Sequence, residues 1–508
     1  MRQRAIMTAL AMTASLAFTQ GCSSIAGSAN TSEQVSKSKP NVLWIYMEDI
    51  DPVFSPYNDK FNSADDTPTI QMLADQGVTF SSAFSPAPVC SPARSAVITG
   101  TMPTTLGVHN HHSSRTIEDA IFLPDHVKTI PELMQTAGYA TFNHGKDDYN
   151  FIYNRDELYE DDLMIDFWYT FAGQGDWLSI AKQDKPFFGQ IQTTGGKWSI
   201  DSLYPKIKNQ VKTIDRDSID IPPYYPDIPS IREKMARQYD AARYTDHEVK
   251  EILAQLKDNG LLNNTYVFFF SDHGFNTERH KQFVYDGGIH VPLIVAYFGE
   301  DGELTQGSTR DDLVNLIDLG PTTLALAGLP TPNYMEGKDV FANDFSRDQV
   351  IATRDRCDFT IDRIRAVRTE QFKYIKNYFP ERSMMQDSYR DRRQTFKDIK
   401  RLYAEGKLNS AQSVLPAPTK APEELYDVVK DPYEINNLAS DPAYAATLAD
   451  MQTRLSTWQA QTGDKGSEPQ NPESLRFMID RWGERCVNPE YDFVRKHRRH
   501  NQPQKSLK

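Results

Sequence analysis

Two near-continuous apolar runs constrain the fold of this chain more than any other feature: Asn41-Val42-Leu43-Trp44-Ile45-Tyr46-Met47 and Asn264-Thr265-Tyr266-Val267-Phe268-Phe269-Phe270. A half-exposed strand alternates apolar with polar residues, whereas runs of this kind suit strands buried on both faces of an open parallel sheet. Each run ends in acids, the first in Glu48-Asp49 and the second in Ser271-Asp272-His273. Ligands collect at the carboxyl ends of such strands. If the two strands are neighbours, three carboxylates meet there, at a cost that a bound cation relieves. A divalent metal is therefore the simpler account of the pair at 48–49; a solvated acidic turn is the competing one.

Cys90 lies between these runs, in Pro88-Val89-Cys90-Ser91-Pro92-Ala93-Arg94. Pro92 suits the start of a helix, Ser91 can cap it, and Gly100 is placed to end it after roughly two turns. Cys90 then sits at a helix N-terminus, whose N–H groups favour an anion, and Arg94 lies one turn on. The bare residues describe a thiol in an electropositive niche; a half-buried structural cysteine fits them as well. Further helices are expected over 67–77, 129–138 and 231–256, with short strands at 78–80 and 139–142.

The chain's 508 residues leave room for one large domain plus a smaller one. A net charge of -13 argues against a nucleic-acid partner and against broad adhesion to anionic surfaces. Any anionic substrate then needs a local basic pocket. Arg2 and Arg4 precede a mostly apolar run from Ala5 to Phe18, too short to span a bilayer, which reads as a signal peptide for export. It ends in Thr19-Gln20-Gly21-Cys22. This resembles a bacterial lipobox, which would lipidate Cys22 and anchor a periplasmic or envelope protein to the membrane; cleavage by an ordinary signal peptidase is the alternative. Cys90, Cys357 and Cys486 remain beyond it. They are no disulfide framework, and a Cys357 to Cys486 bridge has nothing further to support it.

The pattern Cys90-x-Pro92-x-Arg94 resembles the signature of type I, formylglycine-dependent sulfatases. Family-like motifs follow in order: Gly145-Lys146, the strand Lys185 to Gln192, Asp272-His273-Gly274, then Lys281 before Tyr285-Asp286-Gly287-Gly288 and Val291-Pro292. The resemblance implies an alkaline-phosphatase-like α/β fold, a large mixed sheet flanked by helices with a smaller C-terminal antiparallel sheet plus helix. It divides the chain into a signal peptide (1–22), a linker (23–39), a catalytic domain (40–345), a C-terminal α+β subdomain (346–465) and a tail (466–508).

In that family the cysteine is oxidised by a formylglycine-generating enzyme, and the hydrated aldehyde is the nucleophile. The resemblance implies Ca2+ held by Glu48, Asp49, Asp272 and His273 together with the modified Cys90. It makes Arg94, Lys146 and Lys281 the groups that stabilise the sulfate and its transition state. Asp148 stands where the family usually carries a histidine, and is expected to face substrate with Lys146 and Lys281. Gly195-Gly196-Lys197 replaces a second usual histidine, so Lys197 or His290 is expected to protonate the leaving oxygen.

His109, His111 and His112 follow in a polar loop. They are expected to be solvated or substrate-facing rather than a zinc site, because no Cys or clustered acid completes a tetrahedral set. The segment 377–415 could reach back to the cleft, or be an ordinary solvated helical insertion. The functional expectation is an exo-acting sulfatase on sulfated oligosaccharides or polysaccharides, with algal ulvan first. A phosphodiesterase or phosphonate monoester hydrolase of the same superfamily, or a catalytically inactive sulfated-glycan-binding lipoprotein, are the alternatives.

Overall fold

A computed structural model describes residues 39–161, 177–300, 302 and 304–497, all within one compact unit that begins at Lys39. The expected signal peptide, Cys22 and nearly all of the linker lie outside the described residues.

The first apolar run forms β1 (Asn41–Met47), which sits at the third position of a seven-stranded mixed sheet. The other strands are β2 (Gly77–Phe80), β3 (Ala140–His144), β4 (Phe187–Thr193), β5 (Thr265–Ser271), β6 (Leu293–Tyr297) and β7 (Ser308–Arg310). Their order is β3-β4-β1-β5-β6-β2-β7. β1 pairs in parallel with β4 and with β5, and Met47 lies opposite Thr193 on one side and Ser271 on the other. Glu48-Asp49, Thr194 to Gly196 and Asp272-His273 therefore leave the sheet side by side, as the acid-ended runs imply.

Both sheet faces are covered, which explains the absence of alternation. Leu43, Ile45, Met47 and Phe269 join the core built with Ile231, Met235 and Leu256 of the helix Pro229–Asp258. Val42, Trp44, Phe268 and Phe270 join the opposite core with Val97, Ile98 and Met134. Trp44 contacts Phe188 and Phe270 edge-on, with ring centroids 5.1 and 5.6 Å away.

The smaller sheet is antiparallel, in the order Val350–Arg354, Ile364–Arg368, Phe372–Asn377, Glu423–Asp427. One face joins the main core through Val350, Ala352, Ile364 and Ala366. The other packs Ile351, Val367, Tyr374 and Leu425 on Met451, Leu455 and Trp458 of the helix Ala445–Thr462, together with Ala96 from the helix that carries Cys90.

The segment 377–415 is not a solvated insertion. Its helix Gln394–Ala404 buries Phe396 and Ile399, three residues apart, in the main core. Beyond 466, the helices Pro472–Trp482 and Glu490–Lys496 close a separate cluster in which Leu475, Met478, Tyr491 and Val494 meet Phe359 and Ile361. Cys357 and Cys486 are free and buried, so no bridge joins them.

Candidate active site

The helix Cys90–Thr99 begins at the cysteine itself, two residues earlier than its sequence suggests, with Val89 as an extended N-cap. Ser91 does not cap it; its Oγ accepts from the His112 backbone N–H at 3.2 Å. Gly100 ends the helix in the left-handed region, φ 65°. The early start places the thiol in the first turn, under the acid-bearing ends of β1 and β5.

Cys90 Sγ lies 3.1 Å from Lys281 Nζ, 3.3 Å from His273 Nε2 and 3.8 Å from Asp49 Oδ1. Burial opposes the thiolate, but Lys146 and Lys281 outweigh it and hold the thiol below its ordinary pKa. Lys281 also bonds Asp49 Oδ1 at 2.8 Å; burial opposes its charge, and Asp49 and Cys90 override it, so its pKa is well above normal.

One donor atom each from Asp49, Cys90, Asp272 and His273 fall within 4.8 Å of one another, and all four residues are buried. Two further observations fit a cation here. Asp272 Oδ2 makes no hydrogen bond although the residue is fully buried; its charged neighbour is Arg94 Nε, 3.4 Å away. His273 Nδ1 faces the Gly274 carbonyl at 2.9 Å, which turns Nε2 toward Asp49 and Cys90. The backbone of Asp49 is left-handed, φ 54°, strain of the sort stored at functional sites. Gly196 permits the approach: a Cβ there would lie 1.8 Å from the Asp49 carbonyl oxygen.

Glu48 departs from the ligand role expected of it. Its carboxylate turns away from this cluster toward three cations: Lys146 Nζ at 2.5 Å, Arg94 Nη2 at 3.3 Å, and Lys197. Burial would raise its pKa, but Lys146 and Lys197 drive it well below the carboxylate range. Arg94 is 1% exposed and donates to Gln192 Oε1 at 2.6 Å, with its guanidinium over the Tyr46 ring. Tyr46 and Gln192 project from β1 and β4, so the sheet itself aims this arginine.

Lys146 bridges Glu48 and Asp148, whose Oδ2 is 3.2 Å away. Arg115 takes Asp148 Oδ1 at 2.8 Å. Asp148 thus lies inside a cationic frame, and its pKa falls far below normal despite burial, chiefly through Lys146 and Arg115.

His290 is not brought into the site. Its ring stacks on Phe84 and its Nε2 contacts the Ser81 carbonyl at 2.8 Å. His109, His111 and His112 are buried rather than solvated, and His111 and His112 line the cavity.

That cavity, of about 280 Å3, has Cys90, Asp49, Lys146, Lys197 and Lys281 in its lining. Its walls also include Tyr389 and Arg393 of the 377–415 segment, together with Asn276, Arg481 and Trp482, which no local pattern singled out. The 377–415 segment does reach the cleft. Arg393 is tied to Asn276 Oδ1 at 3.3 Å, and Arg390 donates to the Thr277 carbonyl at 3.0 Å. The density of Arg and Tyr in that stretch was the only sequence signal.

Residues 40–329 match the Sulfatase family model, and residues 272–421 match that of the N-sulphoglucosamine sulphohydrolase C-terminal region. An ulvan-active sulfatase of Formosa agariphila is 31% identical over 475 residues, 85% of this chain and 77% of that protein. Among solved structures, a 2-O GAG sulfatase superposes with a TM-score of 0.59 at 21% identity, covering 84% of this chain and 93% of that one. A protein solved with its substrate D-glucosamine-2-N,6-O-disulfate gives 0.59 at 17% identity, with 85% and 100% covered. These two likenesses establish the fold. A family model spanning more than half of the chain, a relative above 30% identity, and a buried Cys-Asp-Asp-His cluster beneath converging lysines together show that the chain belongs to the sulfatase family of sulfuric ester hydrolases.

Proposed function

We propose that the protein removes sulfate esters from a carbohydrate, acting from the chain end on fragments of a sulfated polysaccharide, with ulvan the first candidate. The observation that carries this is the placement of Cys90 Sγ within 3.8 Å of Lys281, His273 and Asp49, in a cavity whose lining adds Lys146 and Lys197. Lys146, Lys197, Lys281 and Arg393 in its lining give a net negative chain the local basic groups that an anionic ester group needs. A cavity of this size, walled by Tyr389 and Trp482, suits a terminal sugar better than a passing polymer. The substrate class follows the named relatives.

In this reading Cys90 is converted to formylglycine and supplies the nucleophile, and the ion is calcium. Asp49, Asp272 and His273 would hold the ion, a mostly oxygen donor set that suits a hard cation; bound there, it supplies positive charge to the sulfate oxygens. Lys281 and Lys146 orient the sulfate and stabilise the charge that grows on it. Arg94 acts from behind, fixing Glu48 and Gln192. Lys197 Nζ holds the proton for the leaving sugar oxygen, a role that falls to it because His290 is elsewhere. A cell-envelope location follows from the N-terminal pattern, and metabolic labelling with a fatty acid, lost in Cys22→Ala, would test it.

The test is a panel of ulvan, carrageenan and fucoidan oligosaccharides with released sulfate measured by ion chromatography, alongside para-nitrophenyl sulfate, a phosphodiester and a phosphonate ester. We expect sulfate from at least one oligosaccharide, loss of turnover in Cys90→Ser, and loss of the thiol mass at Cys90 in peptide mass spectra. Chelation should abolish activity and calcium restore it. Faster turnover of the phosphonate or of the aryl sulfate than of every oligosaccharide would overturn the substrate reading; an unmodified Cys90 in active protein would overturn the nucleophile.

A further inference from the structure

We propose that the cavity holds a second anion subsite, built on Arg393 and Asn276 with Lys234 behind them, which takes a further acidic group of the sugar, a carboxylate or a second sulfate ester. It lies in the same cavity as the Asp49, Cys90, Asp272 and His273 cluster and shares no residue with it. The sugar comes from the sulfatase reading of that cluster, on which this inference rests; recognition of the acid group is measurable without sulfate release.

Asn276 is 1% exposed and lines the cavity. Its Oδ1 accepts from Lys234 Nζ at 2.6 Å and from Arg393 Nη1 at 3.3 Å. Two cations on that side decide which amide atom is the oxygen, so Nδ2 faces the other way. It is a buried donor with no acceptor. Arg393 stands just before the helix Gln394–Ala404, whose apolar face is anchored in the main core, and its Nη1 also donates to the Asn276 carbonyl. Its Nε and Nη2 make no hydrogen bond among the described residues, which leaves that edge of the guanidinium fork open in a residue of the cavity wall. Lys234 Nζ is held as well by Ser199 Oγ at 3.2 Å, in the short helix Gly195–Ser199 that bears Lys197. The subsite is thereby tied to the turn that presents the proposed acid for the leaving sugar oxygen.

These cations differ from the others of the cavity in having no counter-charge. Lys146, Lys197 and Lys281 pair with Glu48, Asp148 and Asp49, and Asp358 faces the two histidines, its Oδ1 2.8 Å from His112 Nδ1. Among the described residues, neither Lys234 nor Arg393 forms an ion pair; every hydrogen bond of their side chains goes to a neutral hydroxyl, amide or carbonyl oxygen. Glu278 and Asp49 act on both from further off. Arg390, which donates to the Thr277 carbonyl at 3.0 Å, adds a further positive charge beside Arg393. Burial, and after it Arg393, pushes the Lys234 ammonium down to about 7, the direction of a cation whose charge is not compensated. Such a group is costly until an anion reaches it. An acid on the sugar supplies that anion: the open guanidinium edge takes its paired oxygens, the amide of Asn276 offers a further donor, and Lys234 contributes charge from behind. A neutral sugar of the same shape leaves these donors unmet.

The test uses the full chain with Cys90→Ser, so that binding is read by calorimetry without turnover. The probes are two pairs: a sulfated ulvan disaccharide bearing a uronic acid and the same sugar with its carboxyl reduced to the alcohol, and a carrageenan disaccharide with two sulfate esters and its counterpart with one. We expect the more acidic member of at least one pair to bind about tenfold more tightly than its partner, the ulvan pair reporting a carboxylate and the carrageenan pair a second sulfate. Adding Arg393→Gln or Asn276→Ala should erase that ratio, and Arg393→Lys, a point charge without the fork, should keep only part of it. The ratio in the Cys90→Ser protein needs no subsite variant to fold. Equal binding within both pairs, binding of none of the four sugars, or a folded Arg393→Gln protein that keeps the full ratio would each overturn the proposal. Sulfate release by wild type without charge discrimination overturns the subsite alone, whereas discrimination by a protein that releases no sulfate leaves the subsite standing and overturns the sulfatase reading.

Discussion

Glu48→Gln separates the two roles open to this residue, metal ligand or counter-charge. The carboxylate meets Lys146 at 2.5 Å and Arg94 at 3.3 Å, with Lys197 as a third partner. At an effective dielectric of about 20 these first two contacts are worth about 7 and 5 kcal/mol gross. Desolvation of the buried groups returns much of that, and removing one partner from such a network costs about 3–5 kcal/mol net. The amide keeps the shape but leaves three cations facing one another. A sulfate about 5 Å from Glu48 would also be relieved of about 3 kcal/mol of repulsion per unit charge, roughly a hundredfold in affinity. Glu48→Gln should therefore unfold at lower denaturant concentration, keep the same metal content as wild type, and be stabilised by added sulfate far more than wild type is. Chemical denaturation with and without sodium sulfate, against sodium chloride as the ionic-strength control, together with elemental analysis, reads all three. Loss of a metal equivalent relative to wild type, with unchanged sulfate affinity, would refute the reasoning and return Glu48 to a ligand role.

Glu248 accepts from Trp198 Nε1 at 3.1 Å beside Lys197, and burial pushes its carboxyl up from 4.5 to about 8. A raised folded-state pKa gives stability that is complete below pH 4.5 and is lost as pH rises toward 8, by at most about 5 kcal/mol at 1.4 kcal/mol per unit. Glu248→Gln should flatten that slope in denaturation midpoints taken between pH 5 and 8, and an unchanged slope would exclude Glu248 as its source. His290→Ala should lower stability by about 1–2 kcal/mol while changing kcat/KM less than about threefold, since its ring packs on Phe84 outside the cavity; a loss of about a thousandfold would restore it as the acid. Trp482→Ala should raise KM for oligosaccharides about tenfold and leave para-nitrophenyl sulfate within about threefold, measured by steady-state kinetics, because the small ester has no sugar to set against this wall. Equal losses on both substrates would argue for a structural role instead.

The sequence determined the parts whose cause is local. Unbroken apolar runs dictate strands buried on both faces, acids at their ends mark the ligand edge, and Cys90 ahead of Pro92, Arg94 and Gly100 predicts a short helix with a thiol at its start. These appear in the structure, with β1 between β4 and β5 and the acids adjacent. Only tertiary structure decided where the side chains turn. Glu48 and Asp49 are neighbours, yet the left-handed backbone at Asp49 aims it at Cys90 while Glu48 points to the lysines. The histidine pair lacked acids in sequence because Asp358 is 246 residues from His112. Tyr389, Arg393 and Trp482 reach the cavity because helices far along the chain bury their own apolar faces, Gln394–Ala404 in the main core and Pro472–Trp482 on Phe359 and Ile361. Periodicity and capping report the energy of a segment against solvent, whereas the direction of a carboxylate or an imidazole is set by partners that folding alone brings within reach.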